Sequence, residues 1–238
     1  MTDRKIYTDL ELVENVITWQ GEGAFTGEIC LMLRFKKCNL HCKFCDTQPR
    51  TSGIIAHRCK FEELVKQSKH CNNNFILTGG EPTLYSDQII DFIKYLSDLK
   101  IDYKITVETN GFQLKYLDDQ LKEILSLDEK SKRIFYHFSP KFFDSDAGIK
   151  ATMKIVKDVY QSNLILKIVA YDIDKQYSYT KKLLSELKDY KEKGISIFLM
   201  PESQVATEVL LRMPDLFPIA REFGCNISSR MHLIHDFY

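Results

Sequence analysis

Three of the seven cysteines fall within eight residues, Cys38-Asn-Leu-His-Cys42-Lys-Phe-Cys45, while Cys30, Cys59, Cys71 and Cys225 stand apart. Thiolates this close can wrap one compact, soft centre. A structural zinc needs four ligands in a tetrahedral array. The fourth is missing here, because His41 lies between two candidate ligands and no second pair of closely spaced cysteines occurs. A four-iron cluster is ordinarily held by four cysteines, so three of them leave one iron open to a ligand that is not protein. S-adenosylmethionine (SAM) can fill that position through its amino and carboxylate groups, which sets its sulfonium beside the cluster for one-electron reduction. The other four cysteines read as packing residues, since free cysteine is among the most often buried residue types.

Polar residues also gather after later apolar runs. Phe75-Ile-Leu breaks into Thr78-Gly79-Gly80-Glu81-Pro82, where two glycines permit close backbone approach to a ligand and Glu81 can accept from a cation. Val107-Glu108-Thr109-Asn110-Gly111, His137-Phe-Ser139-Pro140-Lys141 and Met200-Pro201-Glu202 end three more such runs. Taken singly, Asn-Gly and Ser-Pro are explained as well by turn and cap duty. Their shared placement favours a site, because parallel α/β folds bind ligands outside the carboxyl ends of the strands.

The elements that must carry these motifs are legible from residue 29 onward. Short β-branched or aromatic runs alternate with segments of helical period, as repeated βα units require. Strands are predicted near 29–36, 74–78, 103–108, 133–138, 163–170 and 195–200, and helices near 61–70, 86–99, 114–127, 146–159, 175–193 and 203–223. Six βα units predict an α/β fold of partial (β/α)6 barrel type, with the preceding YTDLELVENVITWQ as an extended N-terminal segment against the sheet. The length of 238 residues is read as one domain, 1–238. Thirty-three basic and thirty-three acidic side chains cancel, so no net field draws the chain to nucleic acid or an anionic membrane, and a small-molecule partner is expected. The first residues lack an apolar leader, and no stretch approaches the roughly 18 to 20 apolar residues of a membrane span. A cytoplasmic protein is expected, where clustered cysteines bind metal or do chemistry more often than they form disulfides.

The C-x3-C-x2-C spacing with Phe44 before its last cysteine resembles the signature of the radical SAM superfamily, and TGGEP resembles the glycine-rich segment that binds the SAM amino group there. By that resemblance Phe44, Thr78, Gly79, Gly80 and Glu81 contact SAM, Glu108, Ser139 and Lys141 serve its ribose and carboxylate, and Pro201 lies near the adenine. Within the superfamily, Gln20-Gly21-Glu22-Gly23 joined to Arg34 and to CNLHCKFC-Asp46-Thr47 resembles the 7-carboxy-7-deazaguanine synthases. The likeness continues through TGGEP, ETNG, SPK and the C-terminal SSRMH, touching nearly the whole chain. It implies ring contraction of 6-carboxy-5,6,7,8-tetrahydropterin to 7-carboxy-7-deazaguanine with loss of ammonia, in 7-deazapurine biosynthesis of the queuosine type. The adenosyl radical would take the hydrogen at C6 and later return it, so SAM is a cofactor and not a consumed substrate. Mg2+ at Thr47, an electron donor such as flavodoxin or ferredoxin, and a homodimer are further implications.

The same resemblance places Gln20, Glu22, Gly23, Arg34, His232 and Tyr238, with its terminal carboxylate, at the pterin. Physical reasoning agrees for two of them. Arg34 alternates with Leu33 and Phe35, so it can present its fork to a carboxylate if its face is the interior. Glu22 can pair with a guanidine-like edge. A surface ion pair and a plain glycine turn are the bland alternatives. Lys37 stands where the family usually has Gly, Phe44 replaces a more frequent Trp, and the segment from Gln113 to Arg133 is long and charged. Two other readings stay open at this point: a glycyl-radical activase or another small radical SAM enzyme, and a metal-stabilised binding module without catalysis.

Overall fold

The computed structural model describes residues 9–47, 51–126 and 133–234. In chain order its strands are β1 (Leu10–Leu12), β2 (Glu14–Trp19), β3 (Ile29–Phe35), β4 (His57–Cys59), β5 (Asn74–Gly79), β6 (Lys104–Thr109), β7 (Ile134–Phe138), β8 (Leu164–Ala170), β9 (Ser196–Pro201) and β10 (Asn226–Ile227). Eight of them form one sheet in the order β10-β9-β8-β7-β6-β5-β3-β2, while β1 and β4 make a separate antiparallel pair. All neighbours in the large sheet run parallel except β2, which closes one edge antiparallel to β3. The six predicted strands are therefore present and consecutive, in an open sheet with an added strand at each side. The extended N-terminal segment is β1 followed by β2.

Helices α1 (Phe61–Ser68), α2 (Ser86–Asp98), α3 (Leu114–Ile124), α4 (Asp146–Val159), α5 (Ser178–Glu186), α6 (Lys188–Glu192), α7 (Ala206–Phe223) and α8 (Met231–Ile234) fill the crossovers and the end of the described chain. Each strand's side chains alternate between two faces. One set, including Leu31, Leu33, Phe75, Leu77, Ile105, Val107, Leu166 and Leu199, is fully buried with helix residues such as Leu64, Phe92, Leu117, Val156 and Leu216 in one core. The other set carries Met32, Arg34, Ile76, Thr78, Glu108, Lys167, Val169 and Met200, and lines a cleft. Apolar burial thus fixes the sheet's helix-covered side and leaves its polar side for ligands.

The helix predicted over 175–193 is two helices. Gln176 and Tyr177 adopt left-handed backbone, and the Asp172 carboxylate accepts the N–H groups of Tyr179 and Thr180 at 2.8 and 3.0 Å. That upstream cap fixes the true start of α5, and the chain turns again at Leu187 before α6. Part of the segment 113–133 is α3, whose Asp118 is buried and accepts from Ser162 and Lys122. Residues 127–132 of that segment lie outside the described residues.

Candidate active site

The cysteine loop leaves the carboxyl end of β3 and is held from below by the turn after β5. A Cβ on Gly79 would collide with the backbone of Phe35, and one on Gly80 with the Lys37 carbonyl. Gly79 also has a φ of +108°, a region that L side chains rarely adopt. The two glycines let this turn dock on the lead-in to Cys38, where the Gly80 and Glu81 N–H groups donate to the Phe35 and Lys37 carbonyls at 2.8 and 2.7 Å. Glu81 is almost wholly buried and accepts from Thr83 Oγ1 at 2.7 Å, Thr109 Oγ1 at 2.5 Å and the Asn110 N–H at 2.6 Å. Burial pushes its pKa up, and these donors pull against that rise. Its carboxylate ties the ends of β5 and β6 together, so it positions the loop that its neighbours offer to a ligand.

Cys38, Cys42 and Cys45 all line the cleft and are partly exposed, whereas Cys30, Cys59 and Cys71 are buried. Burial raises the pKa of Cys38 and Cys42, while the Leu40 N–H, 3.4 Å from Cys38 Sγ, and the Lys141 ammonium favour the thiolates. Among the described residues, the set of three potential ligands whose donor atoms all lie within 4.8 Å of one another is Glu22, Asp46 and His232. Cys38, Cys42 and Cys45 can supply three thiolates to a four-iron cluster and leave one iron for a ligand that is not protein. Beside them Phe44 stacks on Tyr171 with ring centroids 4.9 Å apart, and the Tyr171 hydroxyl donates to the Lys141 carbonyl at 3.0 Å. Lys141 Nζ donates to Ser139 Oγ at 2.9 Å. Three residues expected at SAM, Phe44, Ser139 and Lys141, therefore share one wall.

Adjoining it is an ion-pair network drawn from distant parts of the chain. Lys167 Nζ lies 2.8 Å from Glu22 Oε2 and also donates to Glu108 Oε2. Glu108 Oε1 meets His137 Nδ1 at 2.8 Å, and Gln20 Nε2 approaches the same histidine nitrogen at 3.2 Å. Arg230 reaches Glu22 Oε1 at 3.4 Å and contacts Asp46 Oδ2 and the Ser203 carbonyl. His232 Nε2 stands 3.6 Å from Glu22 and 3.5 Å from Asp46. Desolvation alone would raise the pKa of Glu22, yet Lys167 foremost, then His232 and Arg230, hold it well below the usual carboxylate range. Asp46 is likewise lowered against its burial, by His232 and Arg230. Glu108 and Glu22 hold Lys167 above its ordinary value although burial opposes its charge. Glu22 and Asp46 thus stay ionised although the corner is half-buried.

The C-terminal segment is built into this corner. The Met231 N–H donates to the Gly21 carbonyl and the Gly23 N–H to Ser228 Oγ, at 2.9 and 2.8 Å. A Cβ on Gly21 would come 2.6 Å from His232 Nδ1, so glycine is needed there for the histidine to seat. Gln20, Glu22, Arg34 and His232 all line the cleft, as does Thr47, whose hydroxyl lies 3.4 Å from Asp46 Oδ1. Arg34 is already engaged through Nε by Glu14 at 2.7 Å. Gly23 does not line the cleft; its backbone packs on Lys167 and His137. Pro201 is buried in register with Ala170, and its neighbours Met200 and Glu202 face the cleft instead. Glu108 and Lys167 line the cleft jointly, which puts Glu108 beside Glu22 as well as near the SAM wall. Tyr238 lies outside the described residues.

Sequence reasoning missed Lys167, His137 and Arg230. A signal existed for two of them: Leu164-Ile-Leu-Lys167-Ile-Val-Ala and Ile134-Phe-Tyr-His137-Phe each set one ionisable residue inside an apolar strand, where burial demands a partner. Arg230 carries no such mark, because its segment is polar throughout.

An open cleft combines a three-thiol loop with strand-end polar groups on an open, mostly parallel sheet. The radical SAM superfamily model matches residues 32–171, more than half of the chain, and the chain belongs to that superfamily. Among curated relatives, the chain is 32% identical over 135 residues to the 7-carboxy-7-deazaguanine synthase of Hyperthermus butylicus, covering 56% of this chain and 53% of that protein. With the 7-carboxy-7-deazaguanine synthase of Halobacterium salinarum it shares 26% identity over 237 residues, 94% of this chain and 89% of that protein. The chain thus spans about half the length of the first relative and most of the second. The crystal structure of QueE from Escherichia coli superposes with a TM-score of 0.59 over 94% of this chain and 95% of that one, at 17% identity, a likeness of fold.

Proposed function

We propose that the chain is a ring-contracting radical SAM lyase that converts 6-carboxy-5,6,7,8-tetrahydropterin to 7-carboxy-7-deazaguanine and ammonia. The observation that carries this reading is the meeting of QGEG, Cys45-Asp46-Thr47 and SSRMH at one corner, through Glu22, Asp46, Arg230 and His232. The names of the curated relatives support it. An activase for a polypeptide needs no such corner. When bound, a [4Fe–4S] cluster on Cys38, Cys42 and Cys45 and SAM supply one-electron chemistry that removes a hydrogen from a substrate carbon. Thr78, Gly79, Gly80, Phe44, Ser139 and Lys141 orient SAM, with Met200 and Glu202 replacing Pro201 at the adenine end.

The remaining residues hold the pterin. Gln20 and Glu22 take its amino and ring N–H donors, and the low pKa of Glu22 keeps it an acceptor at any neutral pH. Arg34, held through Nε by Glu14 and through one Nη by Met32 Sδ, turns its remaining N–H groups to the substrate carboxylate. Thr47 supplies a hard oxygen to Mg2+, with Asp46 beside it. Lys167 holds Glu22 and Glu108 in place, and Glu108 faces the space between the two ligands. Tyr238 belongs to this substrate set by resemblance alone. The chain acts as one domain in the cytoplasm, fed by a one-electron donor. Among the described residues, no helix is long and apolar enough to cross a membrane.

A homodimer is part of the proposal. Along α7, Leu210, Leu211, Pro214, Phe217 and Pro218 form an exposed apolar stripe, with Leu211 75% exposed. Antiparallel pairing of two copies about Pro214 sets Arg221 of each near Glu208 of the other, an opposite-charge match that favours a second copy of this chain. Light scattering should report a dimer that Leu211→Glu converts to monomer; a monomeric parent would refute the assembly. For the reaction itself, anaerobic incubation with SAM, reductant and 6-carboxytetrahydropterin should yield 7-carboxy-7-deazaguanine by mass spectrometry. SAM cleavage without that product, with this pterin present, would refute the substrate.

A further inference from the structure

His137 is fully buried on β7 and does not line the cleft, yet it touches two residues that do, Gln20 and Glu108. Its Nδ1 lies 2.8 Å from Glu108 Oε1 and 3.2 Å from Gln20 Nε2, and Gln20 Nε2 lies 3.4 Å from the same Glu108 oxygen. Glu108 is held ionised: against its burial, Lys167 and then His137 lower its pKa. A carboxylate only accepts, so the ring carries a hydrogen on Nδ1 and donates it to Glu108. The Gln20 amide then has one consistent orientation. Its NH2 group turns to Glu108 Oε1, because the flipped amide would set its carbonyl oxygen against the carboxylate.

The surroundings keep these groups in place. Lys167 takes the other Glu108 oxygen. The Gln20 N–H donates to the Glu28 carbonyl and the Gly27 N–H to the Gln20 carbonyl, both at 2.8 Å, which anchors the Gln20 backbone. Phe25 of the same loop stacks on the His137 ring with centroids 5.5 Å apart, and Lys104 Nζ sits over Phe25 at 3.3 Å. One atom is left over. Among the described residues Gln20 Oε1 has no hydrogen-bond partner, although Gln20 is only 3% exposed and lines the cleft. A buried acceptor of this kind calls for a donor from a ligand.

We propose that His137 is a positioning residue that, through Glu108, turns the Gln20 amide so that its oxygen reads an N–H edge of the substrate. The proposal deepens the pterin reading given above and rests on it. A ligand with an amino group at that edge is accepted. One with a carbonyl there is refused, since two acceptors would face each other with no hydrogen between them.

The test uses the reconstituted holoenzyme with SAM and no reductant, so that ligands bind without turnover. Calorimetry gives the Kd of 6-carboxytetrahydropterin and of its 2-oxo counterpart, which has a carbonyl in place of the amino group. The parent should prefer the pterin by about a hundredfold or more. His137→Phe keeps a ring on Phe25 but loses the Nδ1 donor, and its preference should fall about tenfold or more at unchanged iron content. His137→Leu, smaller and equally without a donor, gives the same reading if the phenylalanine is not accommodated. His137→Asn, whose side-chain N–H can stand in for that of Nδ1, should restore most of the preference. A merely structural role would weaken both ligands alike, and that result would overturn the assignment. So would a parent-like preference in the variants lacking a donor, a loss in His137→Asn as large as theirs, or a parent that binds the pterin without preference. A parent that binds neither ligand would instead overturn the pterin reading of the site.

Discussion

The cysteine loop and the charged corner line one cleft but are built in opposite ways. The loop takes its three thiols from eight consecutive residues, so its chemistry depends on one short segment and on the TGGEP turn beneath it. The corner takes Glu22, Asp46, Glu108, Lys167 and Arg230 from five separate segments, with Arg230 and Glu22 208 residues apart. Removing a thiol deletes a ligand at a partly solvated site and leaves the core untouched. Removing a charge from the corner leaves its half-buried partners without their counter-charge. The loop should therefore govern chemistry with little effect on folding, and the corner should govern both.

The largest separation of the two regions is expected from Cys42→Ala. It should abolish retained iron and 5′-deoxyadenosine formation while leaving the denaturation midpoint of the metal-free protein near that of the parent. Cys71→Ala, in the core, should keep its iron. Full iron content in Cys42→Ala would remove that thiol from the cluster. Next comes Lys167→Met, which removes the buried cation shared by the half-buried Glu22 and Glu108 and should cost about 3 kcal/mol of stability by denaturant titration, the low end for a buried pair. Its pH dependence has a definite sign. Both carboxylates have lowered folded-state values, so their contribution is present above the unfolded carboxylate pKa and is lost as pH falls through the folded one. Without Lys167 the folded values rise, and the acid loss of stability and turnover should begin at higher pH. An unmoved acid limb would mean that Lys167 does not hold those carboxylates ionised.

Gly80→Ala probes the joint between the regions. The added methyl group has no room against the Lys37 carbonyl, so the turn or the loop must shift, at a cost of about 1 to 3 kcal/mol. Partial loss of iron and weaker SAM binding by calorimetry should follow, while Gly194→Ala, whose added Cβ meets nothing within 4 Å, should keep its iron although its positive φ costs some stability. The smallest effect is expected for Thr47→Ala, which removes one hard oxygen and no thiolate. Turnover should respond less to Mg2+ at unchanged iron content, and an identical Mg2+ response would take Thr47 out of the metal site.

The contrast also explains what the sequence discloses. Spacing is a local property, so the thiols, the TGGEP turn and the six parallel strands could be read before any fold was known. Pairing across the sheet is not local. Glu81 carries the same letter whether it meets a ligand or ties Thr83, Thr109 and Asn110 together, and only the folded chain shows the second. Lys167 and His137 were visible as lone ionisable residues in apolar strands, but their partners were not. The late start of the first helix within 175–193 turned on a cap from Asp172, upstream of the periodic segment. Arg230 joins Glu22 to Asp46 only because the chain returns to its own beginning.

The central claim is that the two regions act on one substrate, the cluster loop through SAM and the corner through the pterin. Substrate carrying deuterium at C6 tests it most directly, with SAM re-isolated after turnover and examined by mass spectrometry. Deuterium appearing in the recovered SAM, together with 7-carboxy-7-deazaguanine, is the predicted result. SAM consumed in proportion to turnover and free of deuterium, with the pterin unchanged, would contradict the account.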